Sequence, residues 1–597
     1  MSKSICSTFH YDHLVLIDEN TSLEYIINLK SKFPNNNILG ITFNHRLFSL
    51  NEKNIIKNTI DILDIDHLMF SIKPSCIKSI KNINLFDFNE FKTYAKINFL
   101  FSCILKYNIK SIHLQKFSLN KIEYSASNIH LIENSLKHYF KIFIEILSNQ
   151  YSEIALQKKF ISIKPSKINI NDIDFHFIET DGLNNEIYFL NFKRQIFEEE
   201  NDLFWVGFDS NFKEVPWDKK YPETKWNRNI RLTSTGEALY EKKIKYCNRC
   251  CMPETMEGIT FDEFGICTPC RSSEEKMHID WEIREKQLNQ IINTFKKVDY
   301  YDCLLPMSGG KDSMFQAYIL TNKYGITPLA VTHGANWMSL TGRFNLENCL
   351  QKFDLDHLIF HSKRSTIDKV ARKSLYEIGD ACWHCHIGAG TFSLQTAVTW
   401  GLNLLIWGES IAERDGRGSY LDQKEASVYY SLEVSAKVKA EDFSDQNVTE
   451  NELSKWFFPN KQNLQDAKIR YLHLGDFIFW DEEKQVDFVV SKFNWMNSKV
   501  ENTFKGYKSN ECIMAGVHDY SNFIKRGIGR ATIQASDDIR RGLITREEGI
   551  EISKKYDTQR PHALDYYLKI TNLTEKEYEE ILLEARNKSA YASKLNK

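Results

Sequence analysis

The stretch from residue 301 to residue 332 constrains the fold more than any other part of the chain. Tyr301-Asp302-Cys303-Leu304-Leu305-Pro306-Met307 is an apolar run with the length of a buried strand. Ser308-Gly309-Gly310-Lys311-Asp312-Ser313 follows as a small glycine-bearing turn, residues 314–324 read as a helix, and residues 328–332 as the next strand. Strand, turn, helix and strand make one βαβ unit of a parallel sheet. The alternation continues with a strand at 356–360, a helix around 390–400 and a strand at 402–407. The expected fold is α/β, with a doubly wound parallel sheet.

The turn has the chemistry of a phosphate site. Phosphates need converging donors, and a helix N-terminus supplies backbone N–H groups and partial positive charge. Gly309 and Gly310 allow close backbone approach, Lys311 adds a mobile cation, and Ser308 and Ser313 add hydroxyls. Asp312 is the candidate to hold Mg²⁺ or to orient the loop. Thr332, at the end of the next strand, is counted with the ATP-binding residues, and Lys311 and Asp312 with the catalytic ones. The spacing is not that of a Walker loop. It resembles the SGGKDS loop of the PP-loop ATP pyrophosphatases, which implies a Rossmann-like nucleotide hydrolase fold and cleavage of ATP to AMP and pyrophosphate.

The first 120 residues echo this unit at a constant offset of 290 positions. Tyr11-Asp12-His13-Leu14-Val15-Leu16-Ile17 matches the run beginning at Tyr301, and Asp64-Ile65-Asp66-His67-Leu68-Met69-Phe70 matches Asp354-Leu355-Asp356-His357-Leu358-Ile359-Phe360. Residues 38–42 fall opposite 328–332, and 107–114 resemble 400–407 at a slightly larger offset. A duplicated domain leaves such a trace. Opposite the phosphate loop the first copy carries Asp18-Glu19-Asn20-Thr21-Ser22-Leu23, with no glycine or lysine. This copy is expected to be degenerate and not to bind ATP. The expected organisation is a degenerate α/β domain over 1–170, a connecting region over 171–240 and a cysteine knuckle over 241–280. The ATP domain then runs over 281–510, and a helical, substrate-binding region over 511–597. Trp205, Trp217 and Trp226 lie in the connecting region without clear periodicity.

Cys247-Asn248-Arg249-Cys250 and Cys267-Thr268-Pro269-Cys270 are two C-x-x-C pairs separated by sixteen residues. That spacing suits a four-thiolate Zn²⁺ ribbon, a closed and therefore structural site. Cys251 is an extra thiol beside it. Cys382-Trp383-His384-Cys385-His386 forms another cluster with three open readings. Cys382 and Cys385 hold a second zinc with a histidine. Or they hold an iron–sulfur cluster with Cys303, Cys349 or Cys512. Or they line the substrate pocket unligated.

The chain has 597 residues and a net charge of −2, where a dedicated nucleic-acid binder is usually basic, so nucleic acid is not the expected partner. The beginning, Met1-Ser2-Lys3-Ser4-Ile5-Cys6, has no apolar signal core, and no apolar run is long enough to span a membrane. The expectation is a cytoplasmic protein with its cysteines as thiols or metal ligands.

Beyond the cysteine knuckle, the loop and the C-x-x-C-H cluster, the chain carries Trp407-Gly408-Glu409, His518-Asp519-Tyr520 and Lys525-Arg526-Gly527. From Cys247 to about residue 590 it resembles the N-acetyl sugar amidotransferases of lipopolysaccharide, flagellar and other nonulosonic-acid pathways, such as those of legionaminic and pseudaminic acid. The first 240 residues depart from that pattern. The resemblance implies that ATP adenylates the carbonyl oxygen of a sugar N-acetyl group. Ammonia then displaces AMP to leave an acetamidino group, with a separate glutaminase subunit supplying the ammonia. Glu409 follows an apolar strand at the ligand end of such a sheet, where it either orients nucleotide or amine or is a solvated strand-end carboxylate. Lys525, Arg526, Arg530, Arg540 and Arg541 are candidates for an anionic sugar or nucleotide sugar, against the alternative of a solvated basic face. A tRNA or small-molecule thiolase and a nucleotide-binding scaffold are the rival functional readings.

Overall fold

The computed structural model describes residues 245–588, apart from 257, 298–299, 335–336, 411, 413–418 and 422–437. Before residue 245 it describes 11–17, 37–44, 56, 60 and 64–71, together with strands at 111–115, 174–178, 206–208 and 214–216. The loop at 18–23 and the three tryptophans of the connecting region lie outside the described residues.

The strands of the first half are β1 (His13–Leu16), β2 (Ile38–Asn44), β3 (Asp66–Ser71), β4 (Ser111–Gln115) and β5 (Asp174–Ile178). A small antiparallel pair follows, β6 (Val206–Phe208) and β7 (Glu214–Pro216). The second half contributes β8 (Cys303–Pro306), β9 (Pro328–Gly334), β10 (Asp356–His361), β11 (Leu404–Trp407) and β12 (Arg470–His473). All but the small pair form one ten-stranded sheet in the order β12-β11-β8-β9-β10-β3-β2-β1-β4-β5. Every neighbouring pair is parallel except β3 with β10.

Parallel strands need cover on both faces, which is why β2, β3, β8 and β10 are buried along their whole length rather than at alternate residues. Cys303, Leu305, Leu404 and Ile406 pack against the helices Trp281–Phe295, Lys311–Tyr318, Leu340–Lys352 and Glu482–Phe493. The long helix Trp383–Trp400 covers β8, β9 and β11 from the other side. Five helices, Ala515–Arg526 through Glu575–Lys588, close the C-terminal part, and the last two pack on Arg364–Ile378. Among the described residues no helix is long and apolar enough to cross a membrane. The helix expected at 314–324 begins earlier, at Lys311, and ends in a π-helical turn, Ile319–Lys323. The edge strand β12 gave no signal strong enough to be anticipated.

The two halves of the sheet share one strand order, β5-β4-β1-β2-β3 and β12-β11-β8-β9-β10. The offset of 290 holds at the level of hydrogen bonds. The Tyr11 hydroxyl donates to Asp66 at 3.0 Å, and the Tyr301 hydroxyl to Asp356 at 2.8 Å. The Thr42 hydroxyl donates to the Ile17 carbonyl at 2.8 Å and meets His67 Nε2 at 2.9 Å. Thr332 makes the same two contacts, with Met307 and His357, both at 2.8 Å. Asp64 and Asp354 both take the left-handed conformation, with φ of 48° and 52°.

The halves meet where β3 and β10 run antiparallel, with Met69 opposite Ile359. Those two residues are themselves related by the offset, so a local twofold axis passes between them. Asp66 stitches the junction. It accepts from the Lys363 N–H at 2.8 Å and pairs with the Lys455 ammonium, both side chains being buried. Asp64 accepts from the N–H of Ser365 at 2.8 Å and from its hydroxyl at 2.5 Å. Removing one partner of a buried ion pair strands the other charge. Asp66→Ala is therefore expected to destabilise the full chain by about 3–5 kcal/mol in denaturant melts. The double variant Asp66→Leu/Lys455→Met, which leaves no charge behind, should recover most of that loss.

Candidate active site and metal centre

The phosphate-loop candidate sits at the C-terminal end of β8, the central strand of its half-sheet. Gly309 has a φ of +87°, and a Cβ there would lie 2.3 Å from the Gly342 carbonyl oxygen, so no other residue fits. The turn is tied down from several directions. The Ser308 N–H donates to Ser313 Oγ at 3.1 Å, the Gly310 N–H to Ser308 Oγ at 3.3 Å, and Trp495 Nε1 to the Gly309 carbonyl at 3.1 Å. Gly310 caps the helix Lys311–Tyr318 without a side chain, so the first turn of that helix presents its N–H groups at the loop.

Lys311 is buried, and its ammonium lies 2.5 Å from Asp312 Oδ2 and 2.6 Å from Glu482 Oε1. Glu482 also pairs with the buried Lys508. Glu511 packs beside Gly310, its Oε1 3.2 Å from where a Cβ would stand, and burial raises its carboxyl while Lys311 works against that rise. Glu482, Lys508 and Glu511 escaped the sequence reading. They lie well over a hundred positions from the loop, and nothing in their local pattern marks them.

The other expected residues divide. Glu409 follows β11; its carbonyl meets His473 Nδ1 at 2.7 Å, and its side chain shares a cavity wall with Asp312. The Thr332 hydroxyl is engaged inside the sheet, as is Thr42 in the other half, so this contact belongs to the fold rather than to the loop. The basic residues grouped in the sequence separate in space. Lys525 donates to the carbonyls of Ile378 at 3.1 Å and Gly379 at 2.9 Å, closing a helix end. Arg526 lies in the last turn of Ala515–Arg526, and Arg530 pairs with Asp519 at 2.6 Å. Of the five, Arg540 and Arg541 are the ones that reach the cavity.

Cys382 caps the helix Trp383–Trp400 and Cys385 lies in its first turn. Of the third cysteines considered, Cys512 comes near enough to influence both electrostatically, whereas Cys303 and Cys349 belong to the core beneath the loop. Burial raises the Cys382 and Cys385 thiols and pushes Cys512 up to about 12. The His386 and His518 rings meet edge to face at 4.8 Å, and burial lowers His386 to about 4.

Cys247, Cys250, Cys267 and Cys270 are buried, with their four sulfurs within 4.8 Å of one another; among the described residues no other group of metal-ligating side chains is so close. The Cys247–Cys270 and Cys250–Cys267 sulfurs are 3.9 and 3.6 Å apart. A tetrahedral zinc with bonds of about 2.3 Å requires sulfur separations of about 3.8 Å. N–H groups of Arg249 and Cys267 point at Cys247 Sγ at 3.4 and 3.3 Å. Gly265, at φ +73°, permits the turn, since a Cβ would strike Asn248. The residues fit zinc, which when bound would crosslink the two knuckles. Cys251 is not part of the tetrahedron; its thiol faces Ser536 Oγ at 3.1 Å.

The knuckle grips the C-terminal helices. Arg546 Nε donates to the carbonyls of Cys247 at 3.2 Å and Cys250 at 3.1 Å, and Ile533 and Ile539 pack on the knuckle's core. Elemental analysis of the purified chain is expected to find one zinc per chain. Cys267→Ser should lose it and lower the melting midpoint, while Cys251→Ala should keep it.

Residues 501–596 match the family model described as LPS biosynthesis protein WbpG-like, C-terminal domain. A segment of 109 residues is 28% identical to an uncharacterized protein of Methanocaldococcus jannaschii, MJ1599; it covers 18% of this chain and 39% of that protein. The C-terminal match supports a place for the chain in lipopolysaccharide-sugar biosynthesis.

Proposed function

We propose that this chain is an ATP-dependent N-acetyl sugar amidotransferase built on a PP-loop fold. The observation that carries the reading is the buried Lys311 at a glycine turn between β8 and a helix N-terminus, in a chain whose C-terminal part matches a lipopolysaccharide-biosynthesis domain. The loop N–H groups and Lys311 bind the ATP phosphates, and Asp312 would hold a magnesium ion, which would supply charge neutralisation there. In the bound state the phosphates replace Glu482 as the partner of Lys311, and Lys508 keeps Glu482 neutralised.

The acetyl carbonyl oxygen attacks the α-phosphorus, and pyrophosphate leaves. An amide carbon is a poor electrophile, and carrying its oxygen off as AMP makes it a good one. Ammonia, delivered by a separate glutaminase, adds to that carbon; AMP departs with the former carbonyl oxygen, and an acetamidino group remains. Glu409, beside Asp312 in the cavity wall, orients the amine. The first half, with no glycine or lysine opposite the loop, is a second copy of the domain that does not bind ATP, and the enzyme works in the cytoplasm.

A second reading, a thiolase carrying an iron–sulfur cluster, rests on the C-x-x-C pair Cys382 and Cys385, whose thiols Cys512 is near enough to influence. One assay separates the two. Wild type and Lys311→Ala are incubated with ATP, ammonium chloride and a panel of N-acetylated sugars, and pyrophosphate and product mass are followed. The amidotransferase reading expects sugar-dependent pyrophosphate, a product one mass unit lighter, and a loss on the order of 100-fold in the variant. Iron and sulfide in the purified chain, with turnover only on tRNA and a sulfur donor, would replace it with the thiolase.

A further inference from the structure

A cavity of about 630 Å³ runs between the cysteine knuckle and the phosphate loop, a volume typical of small-molecule sites. Asp312, Glu409 and Glu482 line it, as do Cys270, Arg540 and Arg541. Much of the charge around it is already matched inside the protein. Arg249 pairs with Glu274, Lys508 with Glu482, and one terminal nitrogen of Arg540 with Asp537. Glu483 and Asp538, two carboxylates that feel the charge of Arg541, are both held by Lys505.

Two donors stand apart. Nη1 of Arg540 and Nη1 of Arg541 are both buried, and no described protein group accepts from either. The Arg540 side chain is only 5% exposed. A buried cationic N–H without an acceptor is costly, and here two occur on adjacent residues at the end of one helix, both in a cavity wall. Guanidinium groups match the planar, two-oxygen face of a carboxylate or phosphate. The helix that carries Arg540, Arg530–Arg540, is seated by the knuckle through Ile533, Ile539 and the Cys251–Ser536 contact.

We propose that Arg540 and Arg541 bind an anionic group, carboxylate or phosphate, on the sugar substrate, and so turn its acetamido group toward the phosphate loop. This rests on the amidotransferase reading for the identity of the ligand as a sugar, and it narrows the anion-binding candidates of that reading to one pair. It also gives the zinc knuckle a purpose in specificity: the metal fixes the helix that presents the arginines and takes no part in the chemistry.

The test is titration calorimetry on the full chain with N-acetylneuraminic acid, UDP-N-acetylglucosamine and neutral N-acetylglucosamine, with a non-hydrolysable ATP analogue as a separate ligand. Arg541→Gln is the primary variant, because Arg540 also holds Asp537; Arg541→Lys is the conservative one. The expected result is that at least one anionic sugar binds, that the neutral sugar does not, and that Arg541→Gln weakens the anionic sugar about 10- to 100-fold while the ATP analogue binds as before. Arg541→Lys should restore part of the affinity. Equal binding of neutral and anionic sugars, unchanged binding in Arg541→Gln, or no sugar binding at all overturns the proposal. Loss of the ATP analogue instead of the sugar also overturns it, because the pair would then serve the nucleotide's phosphates. Normal anion binding with no pyrophosphate release would sink the amidotransferase reading and leave the anion subsite standing.

Discussion

Lys311 places an ammonium group inside the protein at the foot of the glycine turn, and much of the site follows from that burial. A buried ammonium loses several kcal/mol of hydration in real proteins, roughly, and must recover it from carboxylates at close range. Asp312 supplies one from the next residue, but the second, Glu482, comes from a helix far along the chain. Glu482 in turn neutralises Lys508, which belongs to the segment leading to Glu511. One charge requirement thus fixes the distance between the turn, the helix Glu482–Phe493 and the strand-like segment around Glu511, which bridges back to Met338 through Cys512.

The cysteine knuckle acts on this site from behind. Its four sulfurs form a closed set with no position for a substrate, so its influence is mechanical. Backbone carbonyls of Cys247 and Cys250 are fixed by the metal-binding turns, and Arg546 reads them; Cys251 and the apolar residues hold the preceding helix. The buried Asp557 completes that seat by accepting from the N–H groups of Gly529 at 3.0 Å, Ala531 at 2.8 Å and Thr532 at 3.1 Å.

The first half of the chain contributes differently. Its strands β1 to β3 repeat the tyrosine–aspartate and threonine–histidine contacts of β8 to β10, so the same local chemistry builds both half-sheets. At the junction an edge that would otherwise expose unpaired N–H and C=O groups is closed by the related edge. Asp64 and Asp66 reach across to the start of Arg364–Ile378, and Lys455 reaches back. The Phe70 and Trp400 rings, 6.1 Å apart, continue the apolar contact beneath.

Local features were legible wherever the physics is local. A buried parallel strand must be apolar, a tight turn against another backbone must be glycine, and four thiols in two C-x-x-C pairs must converge if they share a metal. Hence the strands around 301–307 and 328–332, the turn at Gly309 and the tetrahedron of Cys247, Cys250, Cys267 and Cys270 could be read from order and spacing alone, as could the offset of 290. Charge pairing across the fold obeys no such spacing. Nothing near Glu482, Lys508 or Glu511 marks them, and a run of basic residues at 525–541 reads as one patch although helix directions send Lys525 to a helix end, Arg530 to Asp519 and Arg540 to the cavity. The order of residues determined the elements and the four cysteines that could hold a metal, because those depend on local pattern and spacing. Only the tertiary structure decided which carboxylates neutralise Lys311 and which arginines face the cavity. Those depend on where distant helices are packed.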